Sequence, residues 1–136
     1  MEESLSEAFW AVSHRLRHRT KVALDPWRLS PSLARAMRVL AWRGELRPGA
    51  LAEQLRIAPR SATELVDDLE RLGLAERRPD PADRRATLVA LTGKGEETNR
   101  AIQAAREAEG ERFFAALSPD DRAALGGILR RLLEDD

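Results

Sequence analysis

Four side chains able to make base-specific hydrogen bonds follow Pro59 closely: Arg60, Ser61, Thr63 and Glu64. On a helix inserted into the major groove of DNA, side chains of the first two turns reach the base edges. An arginine donates two hydrogen bonds to guanine, a hydroxyl binds phosphate or base, and a glutamate accepts from the cytosine amino group. These residue types therefore predict base reading, and the N-terminal amides of the helix would add a phosphate site.

A second cluster, Asp83, Arg84 and Arg85, lies in a proline- and aspartate-rich stretch. An arginine at the tip of a narrow hairpin enters the minor groove, where the negative potential favours its charge, and a neighbouring carboxylate orients it. One of the two arginines could instead tie the hairpin to the body of the protein through Asp80 or Asp83. The sequence leaves open which arginine has which role.

The first cluster is predicted to open the second helix of a helix-turn-helix pair. Proline at 48 begins a short helix, residues 56–58 form the turn, and Pro59 begins a helix to Leu72 that Gly73 ends. The inward face of that second helix is predicted from helical spacing to comprise Ala62, Leu65, Val66, Leu69 and Leu72.

The flanking elements follow from caps, proline positions and apolar periodicity. They are a helix over 5–19, a break at 25–26, a helix from the Ser30 cap to about 44, strands over 74–78 and 85–91, a helix from the Thr92 cap to about 117, and a last helix opened by Ser118. The first and last helices carry apolar stripes that a helix-turn-helix core does not need. The most economical cover for these stripes is a second copy of the chain.

Residues 51–95, LAEQLRIAPRSATELVDDLERLGLAERRPDPADRRATLVALTGKG, resemble the winged helix-turn-helix of the MarR family of bacterial transcriptional regulators. The resemblance rests on the Asp-x-x-Asp-Arg-Arg wing and the Leu-Thr-x-x-Gly sequence opening the next helix. It implies a single, mainly α domain with a small β-wing, in which 30–92 form the DNA-binding lobe and 1–25 and 93–136 form dimerisation helices.

The resemblance also implies a function. A MarR-type protein would be a homodimeric repressor that binds a double-stranded, pseudo-palindromic DNA operator and is released by a small-molecule effector. Glu64 and Asp68 depart from the polar or basic residues usual in the family, which leaves the operator sequence open.

Three tryptophans, Trp10, Trp27 and Trp42, fall in and between the first two predicted helices. MarR proteins form an effector pocket near this region, so these tryptophans, with His14 and Arg38, are the candidate pocket residues implied by the resemblance. Core or interface packing would explain each tryptophan equally well.

Composition excludes several function classes. The chain has no cysteine, which rules out disulfides and thiolate chemistry. His14 and His18 lie one helical turn apart, but two ligands are too few for a zinc site, so no metal or cofactor is expected. No histidine is clustered with a nucleophile, so we expect no enzyme. The start Met-Glu-Glu and the lack of an apolar run of ~18 residues predict a cytoplasmic protein without a membrane partner.

Charge balance argues against DNA binding. The 136-residue chain has a formal net charge of zero, whereas many DNA-binding domains are strongly basic. A protein-association module without DNA binding is therefore the alternative, favoured also by the acidic Asp67 and Asp68. Separately, the structural alternative for Arg60 and Glu64, one turn apart, is an exposed ion pair of the kind found on most surface helices.

Overall fold

The computed structural model describes residues 3–134. Its elements are α1 (Leu5–Leu24), a 3₁₀ turn (Asp25–Trp27), α2 (Pro31–Arg43), α3 (Pro48–Leu55), α4 (Pro59–Arg71), β1 (Ala75–Asp80), β2 (Asp83–Leu91), α5 (Gly93–Phe114) and α6 (Pro119–Glu134). The predicted mainly α fold with a small β-wing is confirmed. Backbone contacts divide the chain into two compact units, residues 24–104 and residues 3–23 with 105–134.

The predicted N-terminal caps of three helices are present, and each is a serine or threonine hydroxyl. The Ser30 hydroxyl accepts from the Leu33 amide at 3.1 Å, and the Thr92 hydroxyl accepts from the Gly95 amide at 3.0 Å. The Ser118 hydroxyl does the same for α6. Each cap satisfies an amide that has no partner within its helix.

The core of residues 24–104 lies where the apolar faces of α2, α3 and α4 meet the wing strands. Its largest fully buried side chains include Met37, Leu40, Leu51, Val66, Leu69 and Val89. Since Val66 and Leu69 are on the inner face of α4, their burial directs the opposite face of that helix outward. The core therefore sets which side chains α4 offers to a partner.

Several boundaries differ from those predicted. Helix α1 continues to Leu24 rather than ending at 19, because no residue before the Asp25-Pro26 pair opposes helix. Leu72 was expected on the inner face of α4. It is 41% exposed, since α4 ends one residue earlier.

Gly95, the glycine of the Leu-Thr-x-x-Gly sequence, permits a close backbone approach at the start of α5. A Cβ built on it would overlap the Leu74 carbonyl oxygen. The same oxygen accepts from the Thr92 amide at 3.1 Å. Only a residue without a side chain fits this crossing between the start of the wing and the start of α5.

The second unit, residues 3–23 with 105–134, is held together by a charged cluster around the buried Glu109. The Arg19 Nε lies 2.8 Å from Glu109 Oε1, and the Arg112 Nη2 lies 2.7 Å from Glu109 Oε2. The Arg19 guanidinium also lies over the Phe113 ring, 5.5 Å from its centroid. These contacts link α1 to the second half of α5.

This unit leaves much of its apolar surface exposed. The exposed large side chains on α1 and α6 include Leu5, Phe9, Trp10, Val12, Ile128, Leu132 and Leu133. In the described part of the chain, no helix is both long enough and apolar enough to cross a bilayer.

Candidate nucleic-acid interface

The start of α4 has no capping side chain. Its N-cap is Ala58, whose side chain offers no acceptor, and Pro59 occupies the first turn. The amides of Arg60 and Ser61 therefore have no capping side chain and remain available to an acceptor such as phosphate. Both side chains are exposed.

Thr63 and Glu64 complete the first predicted cluster. The Thr63 hydroxyl donates to the Pro59 carbonyl at 3.1 Å, which leaves its oxygen lone pairs to accept from a partner. Glu64 is exposed. Across residues 3–134 neither Arg60 nor Glu64 has an ion-pair partner. The alternative of an ion pair between these two residues is therefore not realised.

The acidic residues further along α4 are paired with arginines. Arg77 of β1 contacts Asp67 at 2.8 Å and also pairs with Glu70. Asp68 pairs with Arg71 at 2.6 Å. The hydrogen bond to Asp67, together with attraction from Glu70, raises the pKa of the Arg77 guanidinium above its usual value. The negative charge that argued against DNA binding is thus largely balanced within the domain.

The second predicted cluster lies at the tip of the wing. Strands β1 and β2 pair in antiparallel register from Ala75 with Leu91 to Asp80 with Asp83, with an irregularity after Pro79. At the tip, the Asp83 Oδ1 accepts from the Arg85 amide at 3.0 Å. This bond fixes the backbone that carries the two arginines.

Arg84 and Arg85 are both exposed. Within the described range, 3–134, no carboxylate forms an ion pair with either guanidinium. Neither of them ties the wing to the body through Asp80 or Asp83, so that interpretation was wrong.

The residue that ties the tip of the wing to the body through Asp80 is Arg47, which precedes α3 and which sequence reasoning missed. Its Nε and Nη2 donate to Asp80 Oδ2 at 3.1 and 2.8 Å. The other Asp80 oxygen accepts from the Ala82 amide at 2.9 Å. The Ala82 amide and then Arg47 hold the pKa of Asp80 below its usual range. Because 33 residues separate the partners, no local sequence signal pairs them.

The candidate pocket residues lie on different elements. Trp10 and His14 are on α1, Trp27 is half-buried in the 3₁₀ turn, and Arg38 and Trp42 are on α2. Trp10 packs edge-to-face on Phe9, with ring centroids 6.1 Å apart. The guanidinium over the Trp42 ring is that of Arg43, at 5.5 Å.

Two further features are the histidine pair of α1 and a groove between α5 and α6. His14 and His18 are exposed, and residues 3–134 contain no group of three or more metal-binding side chains. A groove of about 400 Å³ lies between α5 and α6. It is lined by Glu107, Gly110, Glu111, Phe114, Arg122, Leu125, Gly126 and Leu129.

A helix-turn-helix followed by a two-stranded wing, with exposed unpaired arginines on both, defines a winged helix-turn-helix DNA-binding protein. The sequence model of the MarR family matches residues 29–87. A helix-turn-helix-type transcriptional regulator of Mycobacterium leprae is 31% identical over 134 residues, covering 98% of this chain and 91% of its own. The chain belongs to the MarR family and is a DNA-binding transcriptional regulator.

Other relatives and solved structures are similar. The transcriptional repressor MprA of Escherichia coli is 33% identical over 65% of this chain and 50% of its own. Wild-type apo MarR of E. coli superposes with a TM-score of 0.85 at 21% identity, over 98% of each chain. A point mutant of Staphylococcus aureus MepR, solved bound to an oligodeoxyribonucleotide, gives 0.74 at 20% identity over 97% of each chain. These likenesses between structures establish the shared fold.

Proposed function

We propose that this regulator is a homodimeric repressor that binds a pseudo-palindromic operator and is released by a small-molecule effector. The observation that carries the DNA-binding mode is that the arginines of residues 45–94 fall into two groups, one ion-paired within the domain and one unpaired. Arg47, Arg71, Arg77 and Arg78 are ion-paired within the domain. The described structure contains no ion pair for Arg56, Arg60, Arg84 and Arg85.

The unpaired arginines lie at three places that would contact a duplex in this proposal. They are at the turn between α3 and α4, at the start of α4, and at the tip of the wing. Counterion release by phosphate-bound arginines would supply affinity despite a net charge of zero, because placement rather than total charge sets the local potential.

In this proposal each cluster has its own task. Arg60 reads guanine in the major groove and Glu64 accepts from a cytosine amino group, while Ser61 and Thr63 bind phosphate or base. At the wing, Arg84 or Arg85 enters the minor groove, and Asp83 orients the tip.

The homodimer is supported by the exposed apolar side chains of α1 and α6. Leu5 is 87% exposed and Leu133 is 80% exposed, and large apolar side chains left exposed in this way favour association. Two-fold symmetry would place the half-sites about one helical turn apart, roughly 34 Å. Light scattering at micromolar concentration should give a dimer mass, and a monomer mass would contradict this part of the proposal.

Effector release rests on family membership and on the aromatic residues Trp10, Trp27 and Trp42, with His14 and Arg38. Compounds that lower the anisotropy of a labelled operator complex should also change the tryptophan fluorescence of the free protein. Single Trp→Phe variants would then assign the responding ring. A compound that releases DNA without any tryptophan response would argue against these residues.

Titration of DNA flanking the gene tests the binding mode. Arg60→Ala should cost about 1–3 kcal/mol on the operator and relax base preference at one position, because a bidentate base contact is lost. Arg84→Ala or Arg85→Ala should weaken operator and AT-rich DNA more evenly and reduce the salt dependence. Wild-type affinity of all three variants across a salt series would contradict the proposed reading surface.

The alternative of a protein-association module drew on the acidic Asp67 and Asp68. Both carboxylates are engaged by arginines of the same domain, so they offer little free negative charge to a basic partner. The ion pairs favour the DNA-binding proposal.

A further inference from the structure

Three consecutive residues between α2 and α3 each contact the wing. The Arg78 Nη1 donates to Glu45 Oε1 at 2.7 Å. Leu46 forms an isolated antiparallel bridge with Val89 of β2, with its amide donating at 3.0 Å and its carbonyl accepting at 2.7 Å. Arg47 pairs with Asp80 at the end of β1. Residues 45–47, here called the wing clamp, thus reach both wing strands.

The contacts of the wing clamp differ in burial. Leu46 and Val89 belong to the core, so their bridge fixes the base of the wing by backbone pairing. At the tip, the Asp80 side chain is only 11% exposed while that of Arg47 is 52% exposed. A two-stranded hairpin is marginally stable by itself. The wing therefore needs contacts with the body for a defined position, and the contacts of the wing clamp act beside the Arg77 ion pairs to α4.

From Arg47, hydrogen bonds lead through Asp80 to Ala82, and the neighbouring Asp83 makes a further one within the tip. Two donors of its guanidinium are used on Asp80 Oδ2. The other Asp80 oxygen holds the Ala82 amide, and Asp83, the next residue, holds the Arg85 amide. These hydrogen bonds hold the Arg47 guanidinium against the wing. They also restrain the backbone next to Arg84 and Arg85.

We propose that the wing clamp positions the wing for DNA, and that Arg47 acts on DNA affinity through Asp80 rather than by touching DNA. This inference rests on the proposed role of the wing arginines in the minor groove. Arg47 is accordingly a positioning residue. Its loss should loosen the tip and lower the fraction of molecules whose wing fits the groove.

Two single variants and their combination test the inference. Arg47→Ala removes the donors, and Asp80→Asn removes the charge while keeping an amide oxygen for the Ala82 amide. Each should weaken operator binding on the order of tenfold, because a charge-assisted hydrogen-bonded pair is lost. The double variant should be no weaker than either single variant, since both break the same contact.

The sign of the Asp80→Asn effect separates positioning from direct contact. If Arg47 bound phosphate, Asp80→Asn would strengthen binding, because it frees Arg47 and removes a negative charge. Stronger or unchanged binding of Asp80→Asn overturns the inference. So does an additive double variant.

A matched control and a wing control complete the set. Arg35→Ala removes one exposed, unpaired charge from α2. Arg47→Ala must lose more operator affinity than Arg35→Ala does. If Arg84→Ala and Arg85→Ala weaken binding while Arg47→Ala and Asp80→Asn do not, the inference fails and the proposed function stands. If the Arg84 and Arg85 variants also bind normally, the proposed role of the wing fails too.

Hydrogen exchange of the free protein gives a readout without DNA. In Arg47→Ala the amides at Ala82 and Arg85 should exchange faster, while core amides of α4 keep their wild-type protection. Arg47→Lys keeps the charge but loses the two-donor geometry, and it should fall between wild type and Arg47→Ala in both affinity and exchange. Unchanged exchange at the tip in both variants would overturn the inference.

Discussion

The two compact units differ in where their apolar side chains lie. Residues 24–104 hold all the buried apolar side chains of the described chain, from Ala34 to Ile102. Residues 3–23 with 105–134 have Glu109 as their one buried residue among those described, and their large apolar residues are mostly exposed. The first unit thus has its own core, whereas the second has surface that association would bury. Mutations in the two units should therefore differ in how their effects depend on protein concentration.

The largest effect is expected from charge placed on α6. Leu129→Glu together with Leu132→Glu should prevent dimer formation and lower operator affinity by about a hundredfold or more, because each half-site supplies only part of the affinity. Light scattering and operator titration on the same samples measure both effects.

Leu72→Glu is the control, since it puts a glutamate on an exposed apolar residue of the other unit. It should leave the dimer mass unchanged. A dimer that persists in the α6 variant, or is lost in the control, would remove the proposed difference between the units.

Core truncation should act on the free energy of unfolding, and its effect should not depend on concentration. Leu69 is fully buried, so Leu69→Ala should lower the free energy of unfolding by about 2–5 kcal/mol. Leu132→Ala should lower the unfolding midpoint in a concentration-dependent way, because it acts on association. Denaturant unfolding at two protein concentrations, about tenfold apart, separates the two behaviours.

Gly95→Ala should show what the close approach at the start of α5 requires. The added Cβ meets the Leu74 carbonyl oxygen, which is backbone and cannot rotate away. We expect a loss of about 1–3 kcal/mol, typical of overpacking, independent of concentration because both residues lie in 24–104. Gly93→Ala is the control, since a Cβ there meets nothing within 4 Å. Equal stability of the two variants would contradict the steric account.

The sequence was sufficient to predict the elements of 24–104. Caps, prolines and apolar periodicity placed α2, α3 and α4 to within one or two residues, because these signals are local. Gly95 was recognised as part of a sequence pattern, while its reason, the Leu74 carbonyl, is a contact across the wing that only the fold reveals.

The residues of the candidate site could be predicted from the sequence, but the ion pairs among the arginines could not. Arg60, Arg84 and Arg85 were identified from residue type and position. That they lack ion-pair partners, whereas Arg47 and Arg77 have them, depends on which distant carboxylates the fold brings close. The partners of Arg47 and Arg78 lie 33 residues away. No periodicity encodes such contacts.

The smallest effect concerns the pH dependence of the unit formed by residues 3–23 with 105–134. The Arg112 hydrogen bond, with attraction from Arg19, holds the pKa of Glu109 below its ordinary value of 4.5, although burial opposes this shift. A carboxyl whose pKa is lowered in the folded state stabilises the protein above its ordinary value, and this contribution is lost as pH falls through the folded pKa. Wild type should therefore unfold at a higher temperature than Glu109→Gln at neutral pH, and the gap should close as pH falls below about 4.5. Glu111→Gln, which removes an exposed carboxyl of the same helix, is the matched control and should leave the unfolding temperature at neutral pH close to that of wild type. If the difference in unfolding temperature between wild type and Glu109→Gln stays constant into the acidic range, Glu109 stabilises its unit by packing and not by its charge.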